Sequence, residues 1–412
     1  MPWDVAMGDP VAAIGLDLAE QGDTFGIDSG GQEYLFTFSP EGVRSFYELD
    51  ESDASKGVAD WRMLRRKVPD QLFFARRTLP TQLFGRRATA EHLSHVERCM
   101  DAQLAELEPG DEVDLFDLTR RIGHRIGLAS WGPGGLTGEE LDGLVAVLDV
   151  LDGSDAFVRP SGVLRGPGEA EEAALAEAHD LLTVVIRRAE SDGLDRCSEM
   201  FTGIWSQWKG DDDEVRHHGV AGDVILSHMG SMSNLFAALG WAVVDLLDHP
   251  ELLSAVVAGD RALLEACCLE SIRLAQRSVM LREVLTELDF DTGDVTYRCQ
   301  PGVTLATLLP LTNTSAGPGL DTFDPTRWSG PRLSEARSLP APELVATFGH
   351  GGHACPARPF SLAVMTSVIR RLLAEFDLEM VPLGRPGHLP GQIGGVARPD
   401  RPCSVALTAA AR

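Results

Sequence analysis

One cysteine, Cys355, lies behind the glycine-rich turn Phe348-Gly349-His350-Gly351-Gly352-His353 and just ahead of an apolar run at 360–376. Apolar residues in that run recur at helical spacing, so the cysteine falls at the mouth of a helix. The positive end of the helix dipole and the free backbone N–H groups there favour a thiolate. The glycines let the backbone fold tightly around the sulfur. Pro356 costs nothing where an N–H has no intrahelical partner. With no second cysteine nearby, a single thiolate suits one-point ligation of a metal already held by another ligand set. A haem iron is the candidate.

Two other groups carry charge at suggestive spacing. Glu270 and Arg273 stand three apart in a helical pattern, so they share a helix face and their charges can meet. Alone, such a pair reads as an ordinary surface ion pair. The segment Phe323-Asp324-Pro325-Thr326-Arg327-Trp328 falls in an irregular stretch and alone says almost nothing. The seven cysteines show no paired metal spacing, and their odd number argues for free thiols. Cys267-Cys268 lies inside an apolar helix pattern and reads as core.

These residues must be positioned by a chain of 412 residues, 44% hydrophobic and 24% charged, an ordinary soluble balance. A formal net charge of -26 makes nucleic acid and anionic membranes poor partners. The acidic run Asp211-Asp212-Asp213-Glu214 reads as a solvated loop ahead of a helix. No apolar run reaches the roughly 20 residues that span a bilayer. Met1-Pro2-Trp3-Asp4 lacks the basic and apolar regions of a signal peptide, so a cytoplasmic protein is expected. Lysine occurs only at 56, 67 and 209, against many arginines and alanines, a usage associated with GC-rich bacterial genomes.

Residues 24–38 alternate around Gly30-Gly31 and predict a β-hairpin. Helices are predicted over 76–107 with a break near Gly85, and over 113–129. A capping box at Thr137-Gly138-Glu139-Glu140 opens another helix to about 151. A loop at 153–168 separates it from helices at 169–191 and 198–208. The pattern at 215–248 is one long helix, spanning about 50 Å at 1.5 Å per residue. Further helices cover 250–257 and 261–276. Short strands cover 283–309 and 378–410, on either side of a mostly irregular 313–345 and the helix after Cys355. The fold class expected is mainly α with small β-sheets (α+β), in a single domain over 1–412. Its parts are a β-rich N-terminal part at about 10–60, a helical part at about 70–280 and the cysteine segment at 345–376.

In this order the motifs resemble the cytochrome P450 superfamily, and the resemblance covers most of the chain. Phe348, Gly349, Gly351, His353 and Cys355 fit its cysteine signature, with Ala357 where glycine is commoner. Glu270 and Arg273 fit its ExxR helix, and Arg327 the third member of that triad. The 85 residues between Glu270 and Cys355 are normal for the family. The resemblance implies haem b (iron protoporphyrin IX) with Cys355 as axial thiolate. Phe348 would pack beside the sulfur and tune it. His353, Arg282 and Arg77 would hold the haem propionates. Arg77 lacks its usual aromatic or histidine companion, since Phe73 stands there. Glu270, Arg273 and Arg327 would lock the cysteine segment in place.

The chain departs from the family on the long helix. Members that activate O2 usually carry an acid followed by threonine, whose hydroxyl and ordered water deliver protons. Counting back from Asp248-His249-Pro250-Glu251 puts Asn234 at the threonine position and Ser233 at the acid position, with no carboxylate within a turn. Trp241 supports this register, since aromatic residues are common there in the sterol demethylase branch. Asparagine here resembles the prostacyclin synthase and cholesterol 7α-hydroxylase branch, which holds both an isomerase and a monooxygenase. An amide donates hydrogen bonds but shuttles protons poorly. Ser231, Ser233 and Asn234 are therefore the catalytic candidates.

The same comparison places Ser227, Gly230, Ser231 and Asn234 on the pocket wall. It adds Ser278, Val279, Met280 and Leu281, then Gln392, Ile393 and Gly394. Such a wall favours an uncharged, largely apolar substrate. His217 and His218, at the start of the long helix, read as surface residues. The function expected is oxygen-activating tailoring of a small natural product in bacterial secondary metabolism. Ferredoxin and ferredoxin reductase would supply electrons, and the protein would be a monomer. The alternative is chemistry independent of O2: isomerisation or nitrene- or oxene-type transfer on a substrate with its own N–O or O–O bond, or a peroxide-driven reaction.

Overall fold

The computed structural model describes residues 8–65, 68–134, 136–153, 167–330, 332–381 and 384–410. The centre of the molecule is the long helix Asp213–Leu247, whose second half is buried almost all round. Helices Arg86–Leu104, Leu115–Trp131 and Arg358–Glu375 share its hydrophobic core, through residues such as Met100, Ile126, Met232 and Val368. Close approach is permitted by small residues. A Cβ on Gly127 would meet the His228 ring at 2.9 Å, so only glycine lets helix Leu115–Trp131 lie against the long helix there. By length and composition Asp213–Leu247 could cross a membrane, yet its most apolar window is 72% buried inside the protein, which marks it as a core helix.

The sheets lie to one side. The largest has the order β1-β2-β8-β5-β3, built from Thr24–Ser29, Gln32–Thr37, Thr304–Leu308, Val279–Val284 and Ala54–Ser55. Strands β2 and β8 run parallel and the other neighbours antiparallel. Phe25, Phe36 and Phe38 stack on its inner face. A three-stranded sheet joins β11 (Phe376–Met380), β12 (Ser404–Ala409) and β4 (Glu112–Asp114). The hairpin at 24–38 and the mainly helical α+β class are thus observed. So is the capping box, with Thr137 N–H donating to Glu140 at 2.9 Å and Glu140 N–H to Thr137 Oγ1 at 3.2 Å.

Several elements differ from expectation. Residues 10–60 contain three helices, Pro10–Gln21, Pro40–Glu48 and Lys56–Leu64, so that part is not β-rich. Each is opened by a side-chain cap, from Asp9, Ser39 and Ser55. The helix expected at 76–107 shows its expected break near Gly85, between Pro80–Leu83 and Arg86–Leu104, but it begins only at Pro80, and a separate helix, Asp70–Ala75, precedes it. Pro80 lacks the N–H that a continuous helix needs. The loop expected at 153–168 falls almost wholly outside the described residues.

Candidate functional site

The turn ahead of Cys355 is shaped by two glycines with positive φ, 74° at Gly349 and 57° at Gly351. A Cβ on Gly349 would lie 2.9 Å from the His353 carbonyl oxygen, so a side chain there would force the turn open. The turn closes when Cys355 N–H donates to the Phe348 carbonyl at 2.7 Å. Helix Arg358–Glu375 begins three residues later. The protein packed around the turn raises the Cys355 thiol above its ordinary pKa by desolvation, opposed by the N–H groups of Ala357 and Arg358, although the residue itself is exposed. Arg358 stands over the Phe348 ring, 5.7 Å from its centroid.

Behind the turn lies a brace of buried hydrogen bonds. Glu270 and Arg273 are fully buried and bidentate, at 2.8 and 2.6 Å. Glu270 also accepts from Trp328 Nε1 at 2.9 Å and from Asp324 N–H at 3.2 Å. Arg273 reaches the carbonyls of Asn313 and Leu320 at 2.6 and 2.5 Å. Arg327 stands 3.6 Å from Glu270 and makes its hydrogen bonds to Glu335 and the Gly319 carbonyl. Two residues that sequence reasoning missed carry the brace to the turn. Asn313 bonds both the N–H and the carbonyl of Ala346, and Gln276 donates to the Thr347 carbonyl at 2.8 Å. Single amides with no fixed spacing give no motif to find them by.

The turn and the long helix enclose a cavity of about 320 Å³. Cys355, Phe348, Gly349 and His353 line one wall, and Gly230, Ser231, Asn234, Leu235 and Ala238 line the long-helix wall. Met280, Gln276, Gly395 and Val396 contribute further sides, and no carboxylate is among the lining residues that are described. Asn234 Oδ1 accepts Val396 N–H at 2.9 Å, which fixes the amide orientation. Its Nδ2 group has no protein partner among the described residues and remains available to a ligand.

A cationic rim stands beside the cysteine turn. Arg282 is 1% exposed and donates to His353 Nε2 at 2.7 Å and to the Leu49 carbonyl at 2.6 Å. Burial, then the Arg282 charge, lowers the His353 pKa, so its neutral ring accepts that bond. Lys56, also missed from sequence, lines the cavity and pairs with Asp60. Arg282 Nε is buried with no hydrogen-bond partner, a cation with bonding capacity to spare.

Five sequence expectations are corrected. Arg77 lies away from the cavity: its guanidinium grips Asp211 at 2.5 and 3.1 Å and stacks on Trp208, tying its loop to the start of the long helix. Leu281 faces the apolar layer under the large sheet, because alternate residues of β5 point to opposite faces and Met280 takes the cavity side. Ile393 packs into that same layer, and Gly395 and Val396 of its turn reach the cavity instead. Ser227 lies one turn beyond the end of the cavity. Ser233 points off the cavity wall and donates to Asp152 of helix Gly138–Gly153. In addition, His217 is not a surface residue; it is 5% exposed and paired with Glu190 at 2.7 Å. The seven cysteines are free, and Cys267 and Cys268 are buried.

Residues 167–407 match the family described as Cytochrome P450. The 24-hydroxycholesterol 7-alpha-hydroxylase of Homo sapiens is 25% identical over 200 residues, covering 42% of this chain and 40% of that protein. The 25-hydroxycholesterol 7-alpha-hydroxylase of Rattus norvegicus is 26% identical over 192 residues, covering 37% and 46%. The matched region therefore spans less than half the length of either relative. Among solved structures, CYP175A1 from Thermus thermophillus is 19% identical, with a TM-score of 0.67 over 97% of this chain and 95% of that one. At that identity the likeness concerns the fold.

Proposed function

Because the chain belongs to the cytochrome P450 family, a family of haem-iron oxidoreductases, we propose that it is a monooxygenase acting on a small, largely apolar molecule. The observation that carries this reading is one cavity with the Cys355 turn on one wall and the Asn234 face of the long helix on another. The residues present fit a haem. The sulfur faces the cavity, and the partnerless Nε of Arg282 beside His353 and Lys56 suits the carboxylates of haem b. When bound, the haem would supply oxygen activation, which a thiolate ligand favours.

The chain's own residues would do the rest. Cys355 would ligate the iron, whose charge would favour the thiolate over the thiol. Ala357 and Arg358 would steady that thiolate through their N–H groups. Arg282, His353 and Lys56 would hold the propionates. Leu235, Ala238, Met280 and Val396 would exclude water from the substrate, and Asn234 Nδ2 would orient it by one donated hydrogen bond. The two mammalian relatives, both named as 7-alpha-hydroxylases of hydroxycholesterols, favour hydroxylation. We place the enzyme in bacterial secondary metabolism, as a cytoplasmic monomer fed by ferredoxin and ferredoxin reductase.

A second reading, O2-independent rearrangement of a substrate with its own N–O or O–O bond, draws on the absence of a carboxylate among the described cavity-lining residues. The absorption band of the reduced CO complex tests the thiolate, and its persistence in Cys355→Ala would reject the ligand assignment. Counting NADPH and O2 consumed per product separates the two readings. One of each per product is expected; product formed without either would replace the first reading with the second.

A further inference from the structure

The cations of the rim beside the cysteine turn are already matched by carboxylates of the chain itself. Among the described residues, four fixed charges act on His353: the cations Arg282 and Lys56 and the anions Glu51 and Asp60. Arg282 Nη2 donates to Glu51 Oε1 at 3.2 Å, and Lys56 pairs with Asp60 one helical turn along. His353 adds no charge: its Nε2 accepts from Arg282 and has no hydrogen to give Glu51 Oε1, 3.1 Å away. Arg77, the third cation expected, is committed to Asp211. The rim is therefore close to neutral before a haem brings its two carboxylates to it.

Glu51 is held there independently of Arg282, by the start of helix Lys56–Leu64. Its Oε1 accepts the Lys56 N–H at 3.1 Å, and its Oε2 accepts the Ser55 hydroxyl at 2.9 Å and the Gly57 N–H at 3.5 Å. A carboxylate is stabilised at that end of a helix. Burial works against its ionisation, but these bonds and the Arg282 charge hold its carboxyl below the ordinary range. The Arg282 guanidinium is divided accordingly. Nη1 donates to the Phe46 and Leu49 carbonyls, Nη2 spends its hydrogens on Glu51 and His353, and Nε alone is left over. A two-pronged grip on a carboxylate uses neighbouring N–H groups of the fork. A haem carboxylate gains that grip on Nε and Nη2 only as Glu51 gives up its share.

We infer that Glu51 and, through Lys56, Asp60 compete with the haem carboxylates for the rim cations, loosening the cofactor and lowering its reduction potential. The inference rests on the haem reading of the site. Loosening follows from the shared cations. The lower potential follows from Coulomb's law, because fixed anions near the iron favour its ferric charge over its ferrous one.

Glu51→Gln keeps the side chain's shape and an acceptor for the helix start. Asp60→Asn releases Lys56 in the same way and serves if Glu51→Gln fails to fold. Ferric, haem-loaded protein mixed with excess apomyoglobin reports haem loss by absorbance. Each variant should lose haem about threefold more slowly, the scale of a partly exposed ion pair, and the double variant more slowly still. A spectroelectrochemical titration should find the ferric/ferrous potential raised in each. Glu177→Gln, which removes an exposed carboxylate on helix Glu169–Asp192, should change neither. Faster or unchanged haem loss in both rim variants would overturn the competition and make these carboxylates braces of the rim. An unmoved potential, or an equal shift in Glu177→Gln, would overturn it as well. All of these outcomes leave the haem reading standing if the reduced CO complex keeps its thiolate band. A wild-type chain that takes up no haem, or lacks that band when loaded, would overturn the haem reading itself.

Discussion

The cysteine wall and the long-helix wall of the cavity are held by different kinds of contact. The cysteine wall is backbone held by backbone and by a buried brace. Cys355 closes on Phe348, while Gln276 and Asn313 grip the segment just before the turn. The long-helix wall is held by single side chains reaching to distant parts of the chain, Asn234 to Val396 and Ser233 to Asp152. The first arrangement fixes one geometry and leaves little to vary. The second leaves each residue replaceable, and that is where enzymes on one scaffold acquire different chemistry.

Breaking the cysteine wall should have the largest effect. Cys355→Ala should abolish the reduced-CO thiolate band and turnover together. Retention of either would show that the sulfur is not the ligand. Glu270→Ala should come next, since it strands a buried Arg273; about 3–5 kcal/mol of stability should be lost. Denaturant unfolding of the haem-loaded protein would measure this, and a loss under about 1 kcal/mol would mean the brace is dispensable. On the other wall, Asn234→Ala removes one acceptor from the Val396 N–H and should cost only about 1 kcal/mol. Asn234→Asp keeps that acceptor and removes the free donor, so stability should be kept while substrate affinity falls. Equal substrate affinity in Asn234→Asp and the wild type would remove the donor role.

The smallest effect compares one histidine on each side. His92 stacks on Phe360 of the cysteine helix, and His228 lies in the long helix. Burial pushes each down to about 3. An unfolded histidine titrates near about 6.5. Between those values the unfolded chain binds the extra protons, so stability is full above about pH 6.5 and falls as pH drops toward 3. His92→Gln and His228→Gln should each flatten that slope by one proton. An unchanged slope of unfolding free energy against pH would show that the histidine titrates alike in both states.

What was legible in the sequence follows the same division. Cys355, Gly349, Glu270 and Arg273 act through local backbone geometry and spacing along one helix, which a sequence displays. The long helix was legible because its apolar pattern is unbroken. Arg77 was not, because the choice between a haem carboxylate and Asp211 depends on how a loop broken at Pro80 docks. Leu281 and Ile393 were misplaced because the face of a short strand or turn is decided by its neighbours. Asp152 was invisible as a partner of Ser233, 81 positions away, since only the packing of two helices brings them together.

Asn313 offers a last consequence. Its Nδ2 donates to the carbonyls of Arg273 and Ala346 at 3.0 Å each, while its Oδ1 accepts from Ala346 N–H at 2.7 Å. Two donors and an acceptor on so short a stem are offered by no other residue type. Aspartate would turn both donors into lone pairs aimed at carbonyl oxygens, and glutamine would overshoot by a methylene. In a saturation library scored for haem incorporation, position 313 should therefore read as a blank row, a signature written by a residue that never meets the haem.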